Sequence, residues 1–244
     1  MKKLIRTLLA AVALSAVAAI PAQAGPVINF DVGLDTSLVF FPPLMTHGDA
    51  LVQGDYYVAT VSTKAGAAPG DLVGALIDGS DVASTCMSLL CPTNNSTQFL
   101  GMVNDGLPYI GRLDGGGFRI ASVDASFIAA AGAAVPPIAM ILRVYGFTDL
   151  GGVFYEDLLL PGPVGGVLGF ASYDFSAAFS ARSYVEVDFY GYACNAAGSC
   201  TRSADTAQFA LDNIAFVPEP ASLALFGLAM AGLAVARRRR NGNT

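Results

Sequence analysis

SYVEVDFYGY, residues 183–192, reads as one strand of an antiparallel sheet. Val185, Val187 and Phe189 share one phase of a two-residue alternation, and Tyr184, Glu186, Asp188 and Tyr190 share the other. One face of such a strand is apolar and the other wet. A helix needs a period near 3.6 residues, and no stretch between 25 and 217 sustains one. The same β-forming character marks DYYVATVSTK (55–64), PPIAMILRVYGF (136–147) and QFALDNIAFV (208–217). Shorter candidates are VINFDV (27–32), DLVGALI (71–77), QFLGMV (98–103), GFRIAS (117–122), GVFYEDLLL (152–160) and VLGFAS (167–172). Glycine, proline, asparagine and aspartate fill the gaps, as turn formers should. DASFIAAAGAAVPP (124–137) reads as a single helical turn or a loop of small residues.

Ten or so strands at turn spacing predict an all-β chain folded as a single jelly-roll-like β-sandwich over 25–217, long enough for a substantial core. Its last strand changes phase. Phe209 and Leu211 fall on one side of the alternation and Ile214 and Phe216 on the other, which predicts a bulge at Asp212 and Asn213.

Hydrophobic residues make up 54% of the chain, a figure raised by its two ends. Residues 1–24 open with Lys2, Lys3 and Arg6, continue with an apolar stretch and close on Ala22-Gln23-Ala24. That is the layout of a Sec signal peptide cleaved after Ala24, with an uncleaved anchor as the alternative. The expected partners are the Sec machinery and signal peptidase. At the other end, Pro218, Glu219 and Pro220 precede an uncharged helix predicted over 221–236, then Arg237, Arg238, Arg239 and Arg240, then the short polar end 241–244. Sixteen helical residues span about 24 Å, a little short of the hydrocarbon core, and snorkelling arginines make up the difference on the cytoplasmic side. The plain reading is a C-terminal transmembrane anchor.

The order Pro-Glu-Pro, short apolar helix, arginine run, chain end resembles the PEP-CTERM sorting signal of Gram-negative bacteria. The resemblance implies that exosortase removes the tail and that the body, inner-membrane anchored until then, goes on to the cell surface or exterior. Such proteins often accompany exopolysaccharide. Gln208, Phe209 and Asp212 resemble a PEP-CTERM subgroup with Gln-Phe-x-x-Asp before the tail. The closing strand also resembles that of jelly-roll carbohydrate-binding modules, whose aspartate joins a structural calcium site. That resemblance implies a site from Asp31, Asp35 and Asp212, with backbone carbonyls and water completing the oxygen shell. Turn capping by Asp212 is the plainer alternative.

Between 25 and 217 six basic residues face eighteen acidic ones, a net charge of −12, and sixteen of the eighteen are aspartate. Such a body repels nucleic acid and anionic lipid. Aspartate at this density reads as turn chemistry and solubility, with metal binding the rival. The four cysteines form two close pairs, Cys86 with Cys91 and Cys194 with Cys200. Export makes two local disulfides the reading taken, and neither spacing suits zinc.

Catalysis finds no support. His47 is the one histidine and stands without a visible triad. The run Gly115, Gly116, Gly117 lacks the lysine and helix of a phosphate loop. Glu156 and Asp157 are neighbours on a strand and point to opposite faces, so they cannot form a glycosidase dyad. Sugar binding lacks tryptophan but has nine tyrosines. Tyr184 and Tyr190 are placed beside Glu186 and Asp188 on a wet face, where cross-strand packing is the plainer explanation. The sequence thus predicts an exported, non-catalytic protein of the surface or extracellular matrix, associated with exopolysaccharide; the alternative is a calcium-stabilised carbohydrate-binding module.

Overall fold

The alternation read at 183–192 appears in the strand Glu186–Cys194, where Val187 and Phe189 are fully buried while Glu186 and Tyr190 stay partly exposed. Around it a computed structural model describes residues 25–86, 88–202 and 206–218. The signal segment with Ala22 and Ala24, residues Glu219 and Pro220, the helix 221–236 and the arginine run 237–240 lie outside the described residues. Among the described residues no helix is long and apolar enough to cross a membrane.

Pro26–Val217 form a sandwich of two antiparallel sheets. With strands numbered along the chain, the first sheet runs β13 (Ala171–Asp174), β10 (Ile120–Ala130), β16 (Gln208–Phe216), β8 (Gln98–Met102), β6 (Leu72–Asp78) and β3 (Leu44–Thr46). Two short strands extend it, β1 (Val27–Ile28) on β16 and β7 (Leu89–Leu90) on β10. The second sheet runs β12 (Val153–Pro161), β11 (Ile138–Phe147), β14 (Glu186–Cys194), β9 (Gly106–Arg112), β5 (Tyr56–Ser62), β4 (Ala50–Gln53) and β2 (Leu34–Asp35), with β15 (Cys200–Thr201) on β14.

The core lies between the sheets. Phe209, Leu211, Ile214 and Phe216 of β16 face Leu142 and Val144 of β11 and Val187 and Phe189 of β14 within one apolar cluster. Tyr56 stacks on Phe216 at 3.8 Å. The phase change in β16 is a bulge. Asp124 pairs with Asp212 and Ser122 with Ala215, so two residues of β16 oppose the single Val123. Asn213 takes φ 45°, and this left-handed turn returns Ile214 to the core.

Two expectations change. Tyr184 is not on the wet face. Ordered pairing starts at Glu186, and Tyr184 turns inward, its hydroxyl donating to the Phe179 carbonyl at 2.9 Å. Its ring fills the place of a side chain at Gly146, where a Cβ would stand 2.3 Å from a ring carbon. The segment 124–130 is strand, as the second half of β10, not helical turn or loop. Phe127 and Ala129 pack in the main core, while Ile128 packs on the opposite face. Burial on both faces removes the alternation by which a strand is recognised.

That opposite face is roofed. Ile77, Phe99, Ile128 and Ala210 of the first sheet pack beneath Cys86 and Cys91, with Leu89 and Phe170 alongside. Cys86 and Cys91 are disulfide-bonded and pin this roof; Cys194 and Cys200 close the β14–β15 turn.

Candidate ligand-binding face

With one outer surface of the sandwich roofed, the outer face of the second sheet is the open one. Register builds it row by row. Tyr109 on β9 pairs with Asp188 on β14, which pairs with Tyr145 on β11, which pairs with Tyr155 on β12. One step along, Tyr190 pairs with Arg143 and Arg143 with Asp157; in the other direction Glu186 pairs with Phe147. Side chains two apart on a strand share a face, so these rows form one surface. Tyr57 and Tyr192 extend it by the same rule. Tyr57 pairs with Gly111, two residues from Tyr109, so six of the nine tyrosines share the face.

Tyr145 meets Tyr190, and Tyr57 meets Tyr109, edge to face, a favourable aromatic geometry, while Tyr145 and Tyr155 are tilted. Tyr145 stands 5.3 Å from Tyr190 and 5.9 Å from Tyr155, and Tyr57 stands 6.1 Å from Tyr109. Arg143 holds Asp157 with two bonds of 2.6 and 2.7 Å and lies 4.3 Å over the Tyr155 ring. Arg202 lies 4.8 Å over Tyr190. This arginine–aspartate lock neutralises one end of the face.

Asp188 sits at the centre and is only 7% exposed. Its Oδ1 is buried without a hydrogen-bond partner. Burial pushes its carboxyl up to about 7, and the charge and hydrogen bond of Glu186 add to the shift. Burial also raises the hydroxyls of Tyr109 and Tyr190, with Asp188 contributing to both. Tyrosine faces around carboxylate acceptors can stack on the apolar side of a sugar ring and take bonds from its hydroxyls.

The other candidates resolve into structure. The His47 ring accepts the Ser62 N–H at Nδ1, 2.9 Å away. Glu156 accepts from Ser176, whereas Asp157 is held by Arg143 on the opposite face. Asp35 sits in β2 and accepts the Ser37 N–H, which holds its carboxyl below the usual range. Asp212 is 1% exposed and is pushed up to about 7 by burial, with Asp31 and Asp124 adding like charge. Structure therefore brings Asp31 to Asp212 and sets Asp124, rather than Asp35, beside them. Their oxygens are engaged: Gln98 donates to Asp31, Asn95 and Asn213 donate to Asp212, and Asn213 donates to Asp124. Among the described residues no three His, Cys, Asp or Glu side chains are grouped to hold a metal ion.

The sequence reading missed the assembly of this face. Its signal was present in repeated i, i+2 pairs, Tyr190 with Tyr192 and Arg143 with Tyr145, but the register that unites five strands is not local.

The PEP-CTERM protein-sorting motif matches residues 216–240. That motif marks an exported protein with exosortase as its processing partner. No curated protein matches the chain. Among solved structures, the chain is similar at 13% identity and a TM-score of 0.33 to the CBM22-1-GH10 modules of Clostridium thermocellum endo-1,4-beta-D-xylanase 10B complexed with xylohexaose. That match covers 81% of this chain but only 29% of the xylanase chain. A xylan-binding CBM22-1 domain from Paenibacillus barcinonensis is similar at 14% identity and a TM-score of 0.33, over 81% of this chain and 99% of that one. Tailspike protein 4 of bacteriophage CBA120 gives 8% identity and a TM-score of 0.29, over 67% of this chain and 19% of that one.

Proposed function

We propose that this is a non-catalytic protein of the cell surface or extracellular matrix, delivered by exosortase, which binds exopolysaccharide through the tyrosine face of its second sheet. The observation that carries the reading is Asp188 and Glu186 set among six tyrosines on the one unroofed sheet face. A jelly-roll form of the sandwich is supported by strand order. From β8 to β14 the chain crosses repeatedly between sheets, and β16 returns to lie between β8 and β10. Export through Sec, signal cleavage after Ala24 and a passing membrane anchor over 221–236 belong to the same proposal.

Isothermal titration of the purified protein with the exopolysaccharide of its own host tests the reading. Saturable binding is expected, and Tyr109→Ala or Tyr145→Ala should each weaken it about 3- to 10-fold, the range of one aromatic contact. No saturable binding, or binding untouched by both substitutions, rejects it. A calcium-stabilised form of the same module is the second reading. It is favoured by the like charge that Asp31 and Asp124 add at the buried Asp212, which a cation drawing the three together would relieve.

A further inference from the structure

We propose that the ligand of the tyrosine face carries a protonated amine, so that its polysaccharide is built from amino sugars with free amino groups rather than from neutral or acidic sugars. The inference rests on the polysaccharide reading above and names its chemical class.

Three observations carry it. First, Asp188 is a buried carboxylate whose Oδ1 has no hydrogen-bond partner, and an ammonium group supplies both a donor and the opposite charge. Second, Asp188 stands between tyrosines in the register. Tyr109 and Tyr145 are its direct cross-strand neighbours and Tyr190 is two residues along its own strand. Tyrosine faces attract a cation, and more strongly where water is excluded. The protein already uses this contact on itself, with Arg202 over Tyr190 and Arg143 over Tyr155. Third, the charge at the centre is negative. Glu186 stands beside Asp188 on the same face, while Arg143 is committed to Asp157. A uronic acid or sulfate placed there would meet like charge from the Glu186–Asp188 pair, whereas an ammonium group would draw Asp188 into its charged form. An N-acetyl group removes the positive charge and adds bulk.

Three oligosaccharides of the same linkage and length test this on the purified full chain at neutral pH. They are built from glucose, N-acetylglucosamine and glucosamine, and so differ only in the group at the second carbon. Glucosamine should bind at least about tenfold more tightly than the other two, with a desolvated cation–tyrosine contact and the Asp188 charge both contributing. Asp188→Asn should remove that preference, as should Glu186→Gln in part. Asp174→Asn, which takes one charge from the edge strand of the first sheet, should leave it intact and so exclude diffuse attraction to an acidic protein. If Asp188→Asn does not fold, Glu186→Gln carries the test alone.

Equal or tighter binding of the glucose or N-acetylglucosamine oligomer overturns the amine inference and leaves polysaccharide binding standing. A preference that survives both Asp188→Asn and Glu186→Gln, or disappears in Asp174→Asn, overturns the site. Failure of every oligomer and of the host polysaccharide removes both readings.

Discussion

Two aspartates, Asp188 and Asp212, are held near 7 where a free carboxyl sits near 4, in each case mainly by burial. A raised carboxyl pKa means that the folded state binds the proton more tightly than the unfolded chain. Stability from these groups is therefore full below about pH 4, falls as pH rises and is lost above about pH 7. Melting at pH 5 should exceed melting at pH 8 by roughly 10–20 °C, since each group loses about 2–3 kcal/mol over that interval and a kcal/mol is worth about 2–4 °C in a domain of this size. Asp188→Asn should flatten that slope and raise the melting temperature at pH 8. A wild-type profile that is flat, or that rises from pH 5 to pH 8, would show that these groups ionise freely. Millimolar calcium at pH 8 distinguishes the second reading: a rise of a few degrees, absent in Asp212→Ala, supports a cation at Asp212, and an unchanged melt dismisses it. Sequence alone marked Asp212 through its phase change, but nothing local in VEVDFY says that Asp188 is buried. Burial comes from tyrosines on two other strands.

At the scale of elements, the roof over the first sheet depends on a short covalent loop. Cys86–Cys91 and Cys194–Cys200 enclose nearly equal lengths, with separations of 5 and 6 residues. Chain-entropy arguments assign each about 2 kcal/mol. Replacing either pair by alanine should then cost about 4–8 °C on that ground alone. Only the first pair also covers Ile77, Phe99 and Ile128. Its loss should lower the melting temperature further and increase binding of a hydrophobic dye, whereas loss of the second pair should not; equal responses would mean that the roof stays in place without its bond. Legibility divides in the same way. β14 and the two halves of β16 announced themselves because large apolar residues alternate with polar or small ones along each. β10 did not, because Ile128 and Phe127 are buried on opposite faces. The two-residue β7 carries too little pattern to read, and β1 was read only as part of the longer VINFDV; both exist because β10 and β16 offer them an edge.

For the whole molecule, the match at 216–240 sets the tail apart from the sandwich. If exosortase acts on it, protein recovered from the cell surface should lack Arg237, Arg238, Arg239 and Arg240, and intact mass reads this directly. Surface protein that retains those arginines would be held by a plain anchor. Sorting was the most legible property, since it is written in contiguous residues; which face of the sandwich stays open was the least, since it depends on where distant loops come to rest. The place of β16 has one more consequence, in the order of events by which the chain takes shape. The strand that ends at Phe216 is the last of the sandwich to be synthesised, yet it lies between β8 and β10 and also holds β1. A chain delivered N-terminus first must keep β8 and β10 apart, each with an unsatisfied edge, until residues 208–216 arrive. Such edges recruit other chains, and pairings this distant in sequence form slowly. The sandwich can therefore close only once residues 208–216 are free to pair with both edges.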